Sequence, residues 1–215
     1  MEQSLPQGGL DADHKDMIKI GFCFVKGGTG KTTLASSTVL YLNAAVATAG
    51  LIDTAPIPVA SLLLAAGTQP GVYAGREDVP VAVTRTPEAL DAAIRALEKM
   101  KVSIAVVDLP PMAKTPRLDV AVIVADPPGL EFVGEFKADA AHSILAVNMA
   151  ERADLGRYKG LANSAVALPY SSAVAKAYAK LTPAILPHHP KAQTLGKWKK
   201  AFLQLMAEVA KHVKK

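Results

Sequence analysis

The chain has one cysteine in 215 residues, so no intrachain disulfide can brace it. Cys23 lies in an apolar run and reads as a buried packing residue of a protein kept in a reducing compartment, with the cytoplasm as the expected location. Uninterrupted apolar runs of eighteen residues are also missing, which excludes an ordinary membrane-spanning helix. The first sixteen residues lack the charged-then-apolar pattern of an export signal. A soluble or at most surface-bound protein is expected. Acidic residues are scarce in one region: residues 151–215 hold 3 Asp/Glu against 12 Lys/Arg, whereas residues 1–150 hold 16 against 12. That asymmetry points to an anionic partner surface, nucleic acid or acidic lipid, with a solvated lysine face as the plainer alternative.

The length fits a single domain that buries about 70% of its extended-chain surface. Residues 1–16, "MEQSLPQGGLDADHKD", show no apolar periodicity and read as a disordered tail or upstream extension, with Met17 an alternative start. From residue 17 to 215 the pattern alternates. Strand-like runs fall at Ile18–Val25, Gly50–Asp53, Val81–Thr84, Ser103–Asp108, Asp119–Ala125, Ser143–Asn148 and Ser164–Leu168. Helical patterns include Lys31–Ala45, Pro87–Met100 and Leu195–Lys214. Strands apolar on both faces, alternating with helices, predict an α/β fold with a mostly parallel sheet covered on both sides. Ligands of such sheets bind at the carboxyl ends of the strands.

One turn there carries chemistry. "FCFVKGGTGKTTLASS" follows a strand and opens a helix, and it nearly fits the phosphate-loop pattern G-x-x-x-x-G-K-S/T, with Val25 in place of the first glycine. Gly27, Gly28 and Gly30 let backbone N–H groups turn toward phosphate oxygens, and the following helix adds its positive end. Lys31 is placed to reach the β- and γ-phosphates, and the Thr32 hydroxyl to coordinate Mg²⁺. A single P-loop domain binding ATP and Mg²⁺ is therefore expected.

Lys26-Gly27-Gly28-Thr29-Gly30-Lys31-Thr32 resembles the K-G-G-x-G-K-S/T signature of the ParA/MinD family of deviant Walker ATPases. In that family the first lysine crosses a nucleotide-sandwich homodimer to the partner's phosphates, and the glycine replaced by Val25 is often missing from ParA-like members. The resemblance runs over most of residues 17–213. It implies catalytic roles for Lys26, Lys31 and Asp53, and nucleotide contacts from Gly27, Gly28, Thr29, Gly30, Thr32 and Thr33. "VSIAVVDLPP" resembles the Walker B strand, with Asp108 holding Mg²⁺ through water. Asn148 of "ILAVNMA" takes the position of an adenine-contacting asparagine, and Pro169 of "VALPYSS" that of a residue lining the base. "LDVAVIVADPPGLEF" resembles the strand whose end borders the nucleotide.

The match breaks in two places. "LIDTAP" keeps Asp53 and Pro56 of the family's D-x-D-P but has Ala55 where the second aspartate positions the attacking water. Hydrolysis is therefore expected to be slow or lost while ATP binding is kept. "LPPMAKTPRL" is short and proline-broken where relatives carry a switch II helix.

The C-terminal "LGKWKKAFLQLMAEVAKHVKK" sets Trp198, Phe202, Leu205, Met206, Val209 and Val213 at helical spacing. A helix packed on the sheet is expected there, and the lysines on its other side, Lys197, Lys199, Lys200 and Lys211, are candidates for DNA-phosphate contact. A MinD-like membrane contact is the less favoured use of that helix. His188-His189 reads as a polar loop and not a metal site. The resemblance implies an ATP-dependent dimerising switch that binds nonspecific DNA for plasmid, chromosome or cargo partition, with a ParB-like or other activating partner. A non-catalytic scaffold that keeps its nucleotide is the other reading.

Overall fold

The computed structural model describes residues 17–45, 48–150, 155–158, 160–184 and 196–213. Residues 1–16, His188-His189 and the helix limits expected at Leu195 and Lys214 lie outside the described residues. One eight-stranded sheet organises the chain: β1 Ile18–Cys23, β2 Ala49–Asp53, β3 Gly71–Ala74, β4 Pro80–Val83, β5 Ile104–Asp108, β6 Leu118–Ala125, β7 Ala140–Asn148 and β8 Ser164–Leu168. Their spatial order is β3-β4-β2-β5-β1-β6-β7-β8, and every pair is parallel except β3 with β4. This is the α/β fold with a mostly parallel sheet that the alternating pattern predicts.

The apolar runs become strands because their residues meet protein on both faces. In β2 and β5 every residue is buried. Even-numbered residues of β1, Ile18, Ile20 and Phe22, join one core with α1 Lys31–Ala45, α2 Val59–Leu63 and α5 Gly196–Val213. On the opposite face, Cys23 and Ala105 join the second core with Leu90, Ala93 and Leu97 of α3 Leu90–Lys99. Burial pushes the Cys23 thiol up to about 12, so it stays protonated and packs as an apolar group.

Several boundaries differ from the sequence pattern, among them the start of β7 at Ala140 where Ser143 is expected, and two differ for evident local reasons. Pro87–Ala89 form a 3-10 turn that leads into α3, so the helix proper starts at Leu90. β1 ends at Cys23, since Phe24 and Val25 already belong to the glycine-rich loop. The structure also adds β3, α2 and α4 Ser172–Ala179. β3 is only four residues long and largely exposed, and α2 only five, so neither is long enough to show a period. α4 starts at a Ser171 cap whose hydroxyl accepts from the Val174 N–H.

Between β5 and β6 the described chain forms no helix. At the other end, α5 buries Trp198, Phe202, Leu205, Met206 and Val209 and lies over β6, β7 and β8. Trp198 stacks on Phe202 at 5.4 Å, and Phe202 meets Tyr41 of α1 edge-on at 6.0 Å.

Candidate functional site

Because β1 sits between β5 and β6, the loop that leaves it faces the carboxyl ends of both neighbours. Between the loop and those ends lies a cleft of about 380 Å³, lined among others by Gly28–Leu34, Ala55, Asp108, Asn148 and Pro169. Gly28 (φ 73°) and Gly30 (φ 99°) hold left-handed conformations that a side chain would strain. At Gly30 a Cβ would also collide with the Asn148 amide nitrogen. Thr29 is wholly buried, and its hydroxyl has no partner.

Loop carbonyls are held from outside the loop's own ladder. Lys31 Nζ donates to Lys26 O at 2.8 Å, Asn148 Nδ2 to Thr29 O at 2.8 Å, and the Leu34 N–H to Gly30 O at 3.0 Å. Lys31 is 6% exposed, and burial lowers its pKa while the nearby Asp108 opposes the shift. α1 then carries the loop on a buried helix. Ser36 and Ser37 satisfy their hydroxyls by bonding Thr32 O and Thr33 O, at 2.8 and 2.7 Å.

At the floor two carboxylates sit side by side, since Asp53 and Asp108 are direct neighbours in the β2–β5 register. Asp53 is completely buried, with Oδ1 accepting from the Ala55 N–H at 3.1 Å and Oδ2 from the Ser61 N–H at 2.9 Å. It ties the loop after β2 to α2 and does not line the cleft. Burial raises its pKa to about 6 against those hydrogen bonds. Asp108 does line the cleft. Burial and then the Asp53 charge push it up to about 7, with a hydrogen bond from Thr32 and the charge of Lys31 opposing. Its Oδ1 is buried without a partner. A buried, orphaned carboxylate oxygen beside a threonine hydroxyl is the donor set of a hard divalent cation, so Thr32 and Asp108 fit Mg²⁺. Among the described residues no cluster of three or more His, Cys, Asp or Glu offers a different metal site.

Lys26 stands apart from the cleft lining. Its ammonium is held by Asp126 of the same chain, at 2.7 Å from Oδ2 and 3.0 Å from Oδ1. Asp126 follows the last residue of β6 and also accepts from the Gly129 N–H at 2.9 Å. The motif gave no sign of this partner, one hundred residues away. Other residues that the motif did not indicate are Val174 and Tyr178 of α4 and Trp198 of α5, which wall the cleft beyond Pro169. Lys197, Lys200 and Lys211 lie on the exposed side of α5, and Lys199 is half-buried. Lys211 is paired with Glu208 at 2.7 Å. Between them the exposed positions are Leu203, Gln204, Ala207 and Ala210, so the basic face is split into two ends.

Solved structures repeat this architecture. The septum site-determining protein MinD of Pyrococcus horikoshii, complexed with Mg-ADP, superposes with a TM-score of 0.67 over 90% of this chain and 96% of its own, at 17% identity. The chain shares the fold of MinD. Aquifex aeolicus MinD matches with a TM-score of 0.66 at 16% identity, over 88% of this chain and 97% of its own. A Cyanothece McdA variant in complex with ATP matches at 0.63 and 16%, over 90% and 96%. No family model and no curated protein sequence matches the chain. At these identities the likeness to MinD and McdA is one of fold.

Proposed function

We propose that the chain is a nucleotide-binding switch of the ParA/MinD type, on its ParA-like side. It takes ATP and Mg²⁺ at the β1–α1 loop and dimerises with the nucleotide between the two copies. The observation that carries this reading is the cleft itself: a positive-φ glycine loop, a buried lysine and an orphaned carboxylate oxygen meet at one strand end. Complexes of similarly folded proteins with Mg-ADP and ATP support it. In the dimer Lys26 would leave Asp126 and reach the partner's phosphates, adding positive charge where negative charge gathers. Bound Mg²⁺ would neutralise phosphate charge, with Thr32 as direct ligand and Asp108 acting through water.

The Lys26–Asp126 pair then opposes dimerisation. Lys26 has a side-chain exposure of 38%, so the pair is worth only about 0.5–1 kcal/mol, but each dimer breaks two. Asp126→Asn, which still accepts from Gly129, is expected to tighten ATP-analogue-dependent dimerisation by roughly 5- to 30-fold in sedimentation velocity. Unchanged or weaker self-association would show that Lys26 does not move.

The partner surface favoured here is duplex DNA without sequence preference, met through Lys197, Lys199, Lys200 and Lys211, with partition of DNA or another cargo as the role and a ParB-like activator as partner. The apolar stripe of α5 from Trp198 to Val209 is buried against the sheet and is not available to a membrane. Among the described residues no helix is long and apolar enough to cross one. Binding to random duplex DNA should strengthen with a nonhydrolysable ATP analogue. The slope of log affinity against log salt should become shallower by about one for each contacting lysine removed. Affinity indifferent to both nucleotide and salt would overturn the DNA reading.

A scaffold that keeps its nucleotide uncut is the second reading, favoured by Ala55. Among the described residues lining the cleft, Asp108 is the sole carboxylate.

A further inference from the structure

We propose that Asn148 is a positioning residue that locks the phosphate loop into its anion-binding shape, so that phosphate affinity depends on it even when no base is present. The inference rests on the nucleotide reading above and deepens it.

Asn148 ends β7, whose backbone is fixed from the next strand: Asn148 pairs with Leu168 of β8, and the Ala150 N–H donates to Leu168 O at 3.0 Å. From this anchored position the side chain crosses to a loop 119 residues away and donates from Nδ2 to Thr29 O at 2.8 Å. A carbonyl can only accept, so the amide nitrogen must face the loop and the amide oxygen must face away from it. The peptide unit is planar and trans, so holding the Thr29 carbonyl fixes the Gly30 N–H in the opposite direction. Gly30 sits at φ 99°, a conformation that glycine holds without an intrinsic preference over its alternatives. The Asn148 amide occupies the space where a Cβ at residue 30 would be. The absence of that Cβ therefore has two uses, the left-handed turn and the close approach of the clamp.

Of the three held loop carbonyls, Lys26 O depends on Lys31 and Gly30 O on the first turn of α1. Thr29 O alone depends on a side chain from a distant strand. Without it, the peptide between Thr29 and Gly30 can turn about ψ of Thr29 and φ of Gly30, the latter unrestricted by a Cβ, and binding must then supply the ordering.

The test separates this from a contact with the base. Mg²⁺-ATP and Mg²⁺-tripolyphosphate, which has no base or ribose, are titrated calorimetrically into the native chain, Asn148→Ala and the apolar near-isostere Asn148→Leu. Both variants are expected to lose affinity for both ligands by the same factor, roughly 3- to 10-fold, the size of one hydrogen bond. Amide exchange of residues 27–31 in the ligand-free variants is expected to speed up, while β7 and β8 keep native protection. Weakened ATP with unchanged tripolyphosphate would overturn the clamp and leave Asn148 a base contact only. Unchanged loop exchange would overturn it as well, even in a variant too unstable for titration. If the native chain binds neither ligand, the nucleotide reading fails first, and the clamp with it.

Discussion

Ala55→Asp is expected to raise steady-state ATP hydrolysis by ~10²-fold with little change in ATP affinity, as follows when a group that orients the attacking water is restored. The cradle is complete without it: the glycine loop, Lys31, Thr32 and Asp108 all border the cleft. Ala55 borders it too, at the turn held by Asp53, so a carboxylate there would project from a fixed backbone. Thr54 cannot substitute. Its hydroxyl donates to Asp108 O at 2.8 Å and its own N–H to the same oxygen at 3.2 Å, so it fastens β2 to β5 and is fully buried. A native chain that already turns over ATP as fast as the variant would contradict this view and remove the scaffold reading.

The second large effect concerns Asp108. In the ligand-free protein it carries a charge that burial and Asp53 disfavour, which raises its pKa from 3.8 to about 7, with Asp53 raised to about 6. A carboxyl group whose pKa is raised on folding binds its proton more tightly in the folded state. The stability this contributes is fully present below about pH 4 and is lost as pH climbs through 6 to 7. Asp108→Asn therefore should raise the ligand-free melting temperature at pH 8 by roughly 5–10 °C, and the gain should vanish near pH 4.5. The same substitution should abolish the extra stabilisation that Mg²⁺ adds to ATP. A variant less stable than the native chain at pH 8 would contradict the assignment, because it would make Asp108 a structural carboxylate.

These two residues show what a sequence can and cannot disclose. The phosphate loop is legible because its chemistry is local: glycines at fixed offsets, then lysine and threonine at the start of a helix. The sheet is legible because strands buried on both faces read as unbroken apolar runs, as in "VSIAVVD". Asp53 is a catalytic candidate by position, and the structure adds what position does not show: its two oxygens accept from the backbone N–H groups of Ala55 and Ser61. The Asp126 partner of Lys26 and the Asn148 bond to the loop were hidden for another reason. Each joins residues about a hundred positions apart, brought together only when β6 takes its place beside β1 and β7 beside β6. The basic tail was legible in amount but not in arrangement, since α5 spends its apolar stripe on the core and leaves neutral residues between its outer lysines.

The central claim is that this cleft holds a magnesium nucleotide, and calorimetric titration of ATP with and without Mg²⁺ tests it most directly, beside Lys31→Ala. The account predicts saturable binding of one ATP per chain, tightened by Mg²⁺ and lost in the variant, as expected when the cation that pairs with phosphate is removed. Absence of binding at millimolar ATP, or binding indifferent to Lys31, would contradict it.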